Sequence, residues 1–554
     1  MILKLENNLK RAIIFSLILN SALAFSGFYS RTYDSYPHMF FADHYQKDWF
    51  DTWEPRWYLG FNVASYPPLA HQALALVGFA IGLESAYVII TLLFMVLLPI
   101  ATFKFAKVFI SEEAAGYASL ASVFFPGILY SVYVWGQFTT LFSLVITLFT
   151  IPSFYGYIRK GGLLRFAELI LLFEATIASH HFTGLIFAPL LLLVTFATIL
   201  VRKETSLKTG LKRFLLVTLV GLLLSTVVLY PVLISAVGQN ANIPHATTMN
   251  YFENLDFLQL FFINMYGPFL ILIPLTVVTI YNRRDLLPLF ILSLFLLILG
   301  LGGTTPLPQV IFGQSWSGLT YERFNLFAIL VFTPLFGSVC ASLRGKKFGK
   351  TFLAVFLIIC ILFSSLAASY SFFRPRQQEV PVTSLVDFLN QEDHWRWRYL
   401  TLGFESSDFG KLSIYSNATT IDGWYHRGRD IQELVNSSVD YLSGAKFAKN
   451  GMAELKSILE NSSQYHLRFV FCNDAYYESV LNETGFSLFD VKCEQITIWA
   501  KYDSTPLDIN EIVNAPHALT LQAYSWGIVP MGWLIGLLLL TISRFLKKHE
   551  NGSR

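Results

Sequence analysis

Residues 86–103 read AYVIITLLFMVLLPIATF, and Lys104 and Lys107 follow directly. An uncharged run of this length is too long for a core strand and close to the ~20 residues that a helix needs to cross about 30 Å of hydrocarbon. The pattern recurs in both directions. Apolar stretches near 12–28, 113–131, 138–157, 164–180, 183–201, 214–237, 260–281, 286–301, 323–343, 351–373 and 524–545 bring the expected total to about 12 membrane helices. Composition agrees: the 554 residues are 54% hydrophobic and 14% charged, with 51 Phe, so the chain is a polytopic membrane protein. A net charge of +3 is too small to point to a nucleic-acid partner, and four cysteines are too few for a disulfide framework.

Basic residues give the spans a direction. Lys4, Lys10 and Arg11, then Lys104 and Lys107, Arg159 and Lys160, Arg202 through Arg213, Arg283 and Arg284, Arg344 through Lys350, and Lys547 and Lys548 fall at alternate ends. Positive residues collect on the cytoplasmic side, so both termini are expected there, in a multi-pass protein of the cell membrane. The first span also has a basic start and "SALA" before Phe25, as a signal peptide does, but its apolar core is long for one, and it is counted as a membrane helix. The loops at 29–68, 132–137, 238–256 and 302–322 then lie outside, as does segment 374–523.

That last segment breaks with the rest of the chain. It is polar, with strand-like runs WRYLTLGF (397–404), LRFVF (467–471) and ITIWAK (496–501) and helix-like runs VTSLVDFLN (382–390) and MAELKSILE (452–460). The expected organisation is therefore a membrane domain 1–373, an extracytoplasmic mixed α/β domain 374–523, and a final helix with a short basic tail, 524–554. Sequons at Asn417, Asn436, Asn461 and Asn482 suit an exported surface. Cys472 and Cys493 are either a disulfide in an oxidising exterior or two buried thiols.

The first loop is the most unusual connector. RTYDSYPHMFFADHYQKDWFDTWEPRW (31–57) carries two acid-and-histidine clusters, Asp34 with His38 and Asp43 with His44, ahead of Trp49, Trp53 and Trp57. Pro37 suits a first helical turn and Asp34 or Ser35 an N-cap, so PHMFFADHY (37–45) is expected to form a short interfacial helix. On the plain account Asp34 caps that helix and the tryptophans form an aromatic belt. The loop is long for a tether, however, and it ends in WEPRWYLGFNVASYPPLAHQ (53–72), a Trp/Pro/Gly-rich run that reads as built rather than slack.

YDSYPH (33–38) after the first helix, then WEPRWYLGFNVASYPPLAHQ, YERF (321–324) opening a late helix, and TIDGWYHRG (420–428) with ITIWAK in the exported domain together resemble the 6-pyruvoyl-tetrahydropterin-synthase-related membrane proteins. These are similar in turn to the GT-C superfamily of polyprenyl-phosphate-sugar-dependent glycosyltransferases. Nothing in the sequence suggests pterin chemistry. The resemblance covers nearly the whole chain. It implies a GT-C-like fold, a lipid-linked sugar donor, a glycan, lipid or protein acceptor, and transfer on the outer face by an acid in the first external loop.

Such transfer asks for a carboxylate to take the acceptor's proton and a cation near the leaving phosphate. Asp34 matches the loop position of the family's base, with His38 four residues on; Asp43 offers the same pair one stretch later as an alternative. Arg323, at the outer end of its helix against the positive-inside trend, is the candidate for the donor phosphate, and its ordinary alternative is a snorkelling arginine paired with Glu322. His44, Trp57, Trp135, Gln137, His180 and His181 face the same compartment as candidate substrate contacts, and Glu174 lies deeper in a span. The sequence names no cofactor, and a divalent metal stays open, since Asp34, His38, Asp43 and His44 supply donors that suit Mn or Mg. Trp424, Tyr425, His426, Arg427 and Arg429 could stack on a glycan. Two other function classes compete: a transporter, which would leave the acid-rich loop and the exported domain unexplained, and a scaffold that keeps the fold without catalysis.

Overall fold

The computed structural model describes residues 6–236, 245–373, 380–425, 428–429, 431–437, 441–490, 493–508 and 520–552. The helices that matter below are α1 (Asn7–Ala24), α2 (Ser35–Lys47), α3 (Leu69–Ile81), α4 (Leu83–Ala106), α5 (Glu112–Val123), α6 (Pro126–Tyr133), α7 (Phe138–Lys160), α8 (Leu163–Ser179), α9 (Ala188–Val201), α10 (Leu207–Ala236), α11 (Leu287–Leu299), α12 (Glu322–Arg344), α13 (Gly349–Phe373), α14 (Val382–Asn390), α15 (Ser406–Tyr415), α16 (Gly451–Glu460) and α17 (Leu521–Gly552). Another, Leu255–Asn282, is broken by 3-10 and π turns.

Among the described residues nine helices are long and apolar enough to cross a membrane, not the expected 12. The three segments that fall short are helical, but each has a local reason for failing. α1 opens on Asn7, Asn8, Lys10 and Arg11; α8 has 17 residues and carries Arg165, Glu168 and Glu174; α11 has 13 residues, which at 1.5 Å per residue reach only about 20 Å. All three pack along neighbouring helices, α1 on α4 and α5, α8 on α7 and α10, and α11 on α12. Glu174 is buried and accepts a hydrogen bond of 3.0 Å from Ser225 Oγ on α10, so this intramembrane acid joins two helices. The packing of α12 on α5 depends on Gly337: a Cβ there would come within 2.3 Å of the Ala114 carbonyl oxygen.

Before α17 the chain builds a mixed α/β unit. The first loop holds a short hairpin, β1 (Trp53–Glu54) with β2 (Phe61–Asn62), and in the α/β unit β3 (Arg398–Leu402) runs parallel to β4 (Leu467–Cys472) while β6 (Thr497–Ala500) is antiparallel to both β4 and β5 (Ser487–Leu488), giving the sheet order β3–β4–β6–β5. β3 pairs with β4 through Tyr399↔Phe469 and Leu402↔Cys472. Five of the six β4 residues are buried, as expected for an interior strand whose apolar run does not alternate. α14 and α16 fall on the two helix-like runs. Cys472 and Cys493 are two free, buried thiols, and burial pushes the Cys472 thiol up to about 11. All four sequon asparagines are exposed.

The core of this unit does not stop at its own boundary. Phe40, Phe41, Trp57, Tyr58, Phe61 and Val63 of the first loop belong to the same buried cluster as Leu400, Phe409, Leu412 and Ile421. Trp57 is fully buried, stacks on Phe40 at 3.8 Å, and donates from Nε1 to Ser413 Oγ at 2.8 Å. It is therefore a core residue, neither the belt member nor the substrate contact expected from its sequence context. Two glycines of the α/β unit allow this docking. A Cβ on Gly423 would meet the Trp57 indole at 2.7 Å, and one on Gly410 would meet the Tyr36 backbone at 2.7 Å. α17 closes the assembly from the other side: Trp526 Nε1 donates to Tyr45 Oη at 2.8 Å, and Trp49 Nε1 donates to the Gly527 carbonyl at 3.0 Å.

Candidate active site

The expected short helix forms as α2, but the expected cap does not. Asp34 stands at the N-cap position with no side-chain capping bond. Its backbone N–H donates to the Trp135 carbonyl at 3.0 Å, and its Oδ1 accepts the Trp424 indole N–H at 2.9 Å. The carboxylate is thus turned from its own helix toward the α/β unit. One turn on, His38 Nδ1 and His71 Nε2 are 3.0 Å apart, so one ring donates to the other. Burial, and after it the Arg323 charge, holds the His38 imidazole down at about 3 rather than 6.5, so the ring is neutral at physiological pH.

Tyr66 is the hub of this region. Its ring lies 5.4 Å from His71, 5.6 Å from His181, 5.9 Å from Tyr425 and 6.4 Å from both His38 and His180, and its hydroxyl meets Thr139 Oγ1 at 2.8 Å. His180 ends α8, where a π turn over Thr183–Phe187 separates it from α9. Such a break commonly marks a place where a helix presents a side chain to a site. The His180 Nδ1 bonds Thr183 Oγ1 at 2.8 Å, and its Nε2 lies 3.2 Å from Nη1 of Arg323. Arg323 also lies over the Phe182 ring at 5.7 Å. The Glu322 pairing offered by sequence is not formed: among the described residues no carboxylate lies within ion-pair distance of Arg323, and its Nε has no hydrogen-bond partner. A guanidinium so placed can take an anion in a bidentate fork. Gln137 sits buried at the start of α7, and Trp135 is half-buried against Tyr130 at 5.0 Å.

Asp43 and His44 belong elsewhere. Arg56 contacts Asp43 through Nη1 and grips Glu54 with Nη2 at 2.6 Å and Nε at 2.7 Å, while Lys47 pairs with Asp43 at 2.9 Å. His44 bonds Glu54 through Nδ1 at 3.0 Å and the Asp51 carbonyl through Nε2 at 2.8 Å. Burial alone would raise the Glu54 pKa, but the Arg56 charge and the bonds from Arg56 and His44 outweigh it and hold the carboxyl below its usual range. Arg56 also donates to the Ser413 carbonyl at 2.9 Å and lies over Phe40 at 4.4 Å. This is an ion cluster that clamps the loop to the α/β unit, and both nitrogens of His44 are consumed in it. Asp34, His38, Asp43 and His44 therefore do not converge on one point, and no group of three or more ligating side chains is arranged for a metal among the described residues.

On another side of α2 a cleft of about 730 Å³ opens against the α/β unit, lined by Tyr36, Glu84, Lys411, Tyr415 and α14. The hydroxyls of Tyr29, Tyr36 and Tyr415 all donate to Glu84, at 3.0, 2.6 and 3.0 Å. His426 and Arg427 lie outside the described residues. Arg429 is buried, while Trp424 and Tyr425 face the first loop, Tyr425 bonding the Ser65 carbonyl through its hydroxyl at 3.0 Å. Tyr66 and His71 went unnamed in the sequence because nothing but their place in the run WEPRWYLGFNVASYPPLAHQ distinguished them.

A family profile described as the 6-pyruvoyl-tetrahydropterin synthase related domain, a membrane protein, matches residues 63–371, more than half of the chain. No curated protein matches the sequence. Among solved structures, ArnT from Cupriavidus metallidurans bound to undecaprenyl phosphate is 11% identical with a TM-score of 0.54, over 89% of this chain and 99% of that one. The oligosaccharyltransferase AglB from Archaeoglobus fulgidus, in complex with an inhibitory peptide and a dolichol-phosphate, is 12% identical with a TM-score of 0.51, over 86% of this chain and 70% of that one. The arabinofuranosyltransferase AftD from Mycobacteria is 12% identical with a TM-score of 0.56, over 89% of this chain but 40% of that one. The shared architecture is the GT-C fold.

Proposed function

The chain belongs to the 6-pyruvoyl-tetrahydropterin-synthase-related membrane proteins, and from that premise we propose that it is a glycosyltransferase that moves a sugar from a polyprenyl-phosphate donor to an acceptor on the external face. The observation that carries this reading is Arg323: a guanidinium without a counter-ion among the described residues, held by His180 at 3.2 Å, at the end of α12 nearest the first loop. Two of the fold's relatives are described with a polyprenyl phosphate bound, which supports an anion of that kind for this arginine.

In the proposed reaction, Asp34 takes the proton from the acceptor hydroxyl while that oxygen attacks the anomeric carbon. The bond from that carbon to the phosphate oxygen breaks, and its electron pair leaves with the lipid phosphate. Arg323 matches the charge that develops there, so no proton donor is needed for the leaving group. A neutral His38 beside His71 can orient hydroxyls without adding a second charge. The cleft of Tyr36, Glu84, Lys411 and Tyr415 suits a hydroxyl-rich acceptor, because it offers carboxylate, phenol and ammonium partners together. The test is the reconstituted protein supplied with radiolabelled polyprenyl-phosphate sugars and a cell-envelope acceptor extract. Transfer that needs both Asp34 and Arg323 is the expected result. Binding of donor without transfer would favour the scaffold, and vectorial solute flux the transporter.

A further inference from the structure

The end of the helices that carries Arg11 and Arg344 has its own cavity, of about 250 Å³, walled by α1, α5, α12, α13 and the broken helix Leu255–Asn282. Its walls are apolar, with Phe124, Phe269, Phe356 and Leu357 around the buried thiols of Cys340 and Cys360. Its rim is basic. Arg11, Arg344 and Lys350 all border it and are exposed. Arg344 is paired to Glu113 at 2.7 Å, Arg11 donates to the neutral Asn8 at 3.2 Å, and Lys350 has no carboxylate within ion-pair distance among the described residues. The mouth therefore keeps an excess of positive charge.

Depth and charge together select the occupant. From Lys350 to Cys360 the groove follows α13 for ten residues, about 15 Å, which is roughly half the hydrocarbon thickness of a bilayer. An apolar slot of that depth fits one acyl chain. Cations at its mouth, at the level where a headgroup would sit, favour a lipid with net negative charge over a zwitterionic one. We propose that this groove binds an anionic phospholipid, with one acyl chain between α5 and α13 and its phosphate between Arg11 and Lys350. The site lies at the opposite end of α12 from Arg323 and is independent of the proposed transfer reaction.

Delipidated full-length protein, titrated with phosphatidylglycerol or phosphatidylcholine and read by native mass spectrometry, tests this. Phosphatidylglycerol should bind at least tenfold more tightly. Each of Arg11→Gln and Lys350→Gln should weaken it by roughly fivefold, from the attraction of one basic residue to an anionic surface, with phosphatidylcholine unchanged. Lys350→Arg should restore binding, and Leu357→Trp, which fills the slot, should weaken both lipids. Equal affinity for the two lipids, or full binding in Leu357→Trp, would overturn the proposal. So would displacement of the lipid by soluble glycerophosphoglycerol at equal concentration, since that would show a headgroup site without a chain. Unchanged lipid-free melting of each variant serves as the folding control.

Discussion

The indole of Trp424 donates to the carboxylate of Asp34 at 2.9 Å, across 390 positions of sequence. The bond ties the acid of the first loop to the α/β unit that precedes the last helix, and it separates catalysis from capping. In Asp34→Asn the amide oxygen can still accept the indole N–H, so melting temperature should stay close to wild type. Transfer should fall by at least the ~10²-fold typical of a lost general base. Wild-type turnover in a radiolabelled transfer assay would remove Asp34 from the proposed mechanism.

Arg323 should behave differently, because it would meet the phosphate both before and during transfer. Arg323→Ala is expected to raise KM for the donor and lower kcat together, and Arg323→Lys to recover part of the binding but less of the rate, since ammonium lacks the bidentate fork. Steady-state kinetics with a short-chain donor distinguishes these. A change confined to melting temperature would make the arginine structural.

The Asp43–Arg56–Glu54 cluster is expected to be a matter of stability. Arg56→Met takes the guanidinium from two buried carboxylates, Asp43 and Glu54, at a cost of ~3–5 kcal/mol, whereas Asp43→Asn leaves Arg56 paired with Glu54 and should cost less. Thermal unfolding should show that loss, while the fraction that remains folded should turn over donor at the wild-type rate. Asp43→Asn with normal stability and no activity would instead move the catalytic base to this cluster.

His38 gives a pH signature. Its pKa drops from 6.5 in the unfolded chain to about 3 in the folded protein, by burial first and by Arg323 second. The unfolded state therefore binds the extra proton, and the contribution of His38 to stability is complete above pH 6.5 and is lost as pH falls from 6.5 toward 3. Its imidazole resonances should not titrate between pH 5 and 8 in NMR spectra of folded protein. A midpoint near 6.5 would contradict the neutral pair with His71. In Arg323→Ala the His38 midpoint should rise, since one of the two causes is gone.

The membrane class, the α/β segment and the short helix with Pro37 in its first turn were legible from sequence alone, because they follow from local quantities: the length of uncharged runs, the strand-like blocks of 397–404 and 496–501, and the fixed φ of proline. Asp34 and Arg323 entered as candidates, the first through its place in the family resemblance and the second as an arginine at the unexpected end of a span. Tertiary structure decided the rest. Two acids nine residues apart on one helix, Asp34 and Asp43, look equivalent in sequence, yet one faces Trp424 and the other is neutralised by Arg56, which approaches from beyond a turn. Trp57 reads as an interfacial aromatic until Phe40 and Ser413 bury it from both sides. Among the described residues nine helices, not 12, are long and apolar enough to cross a membrane, because an apolar run does not say where its helix ends. Partners that lie hundreds of residues apart leave no periodicity in the chain, so only the folded packing of the first loop against the α/β unit could assign them.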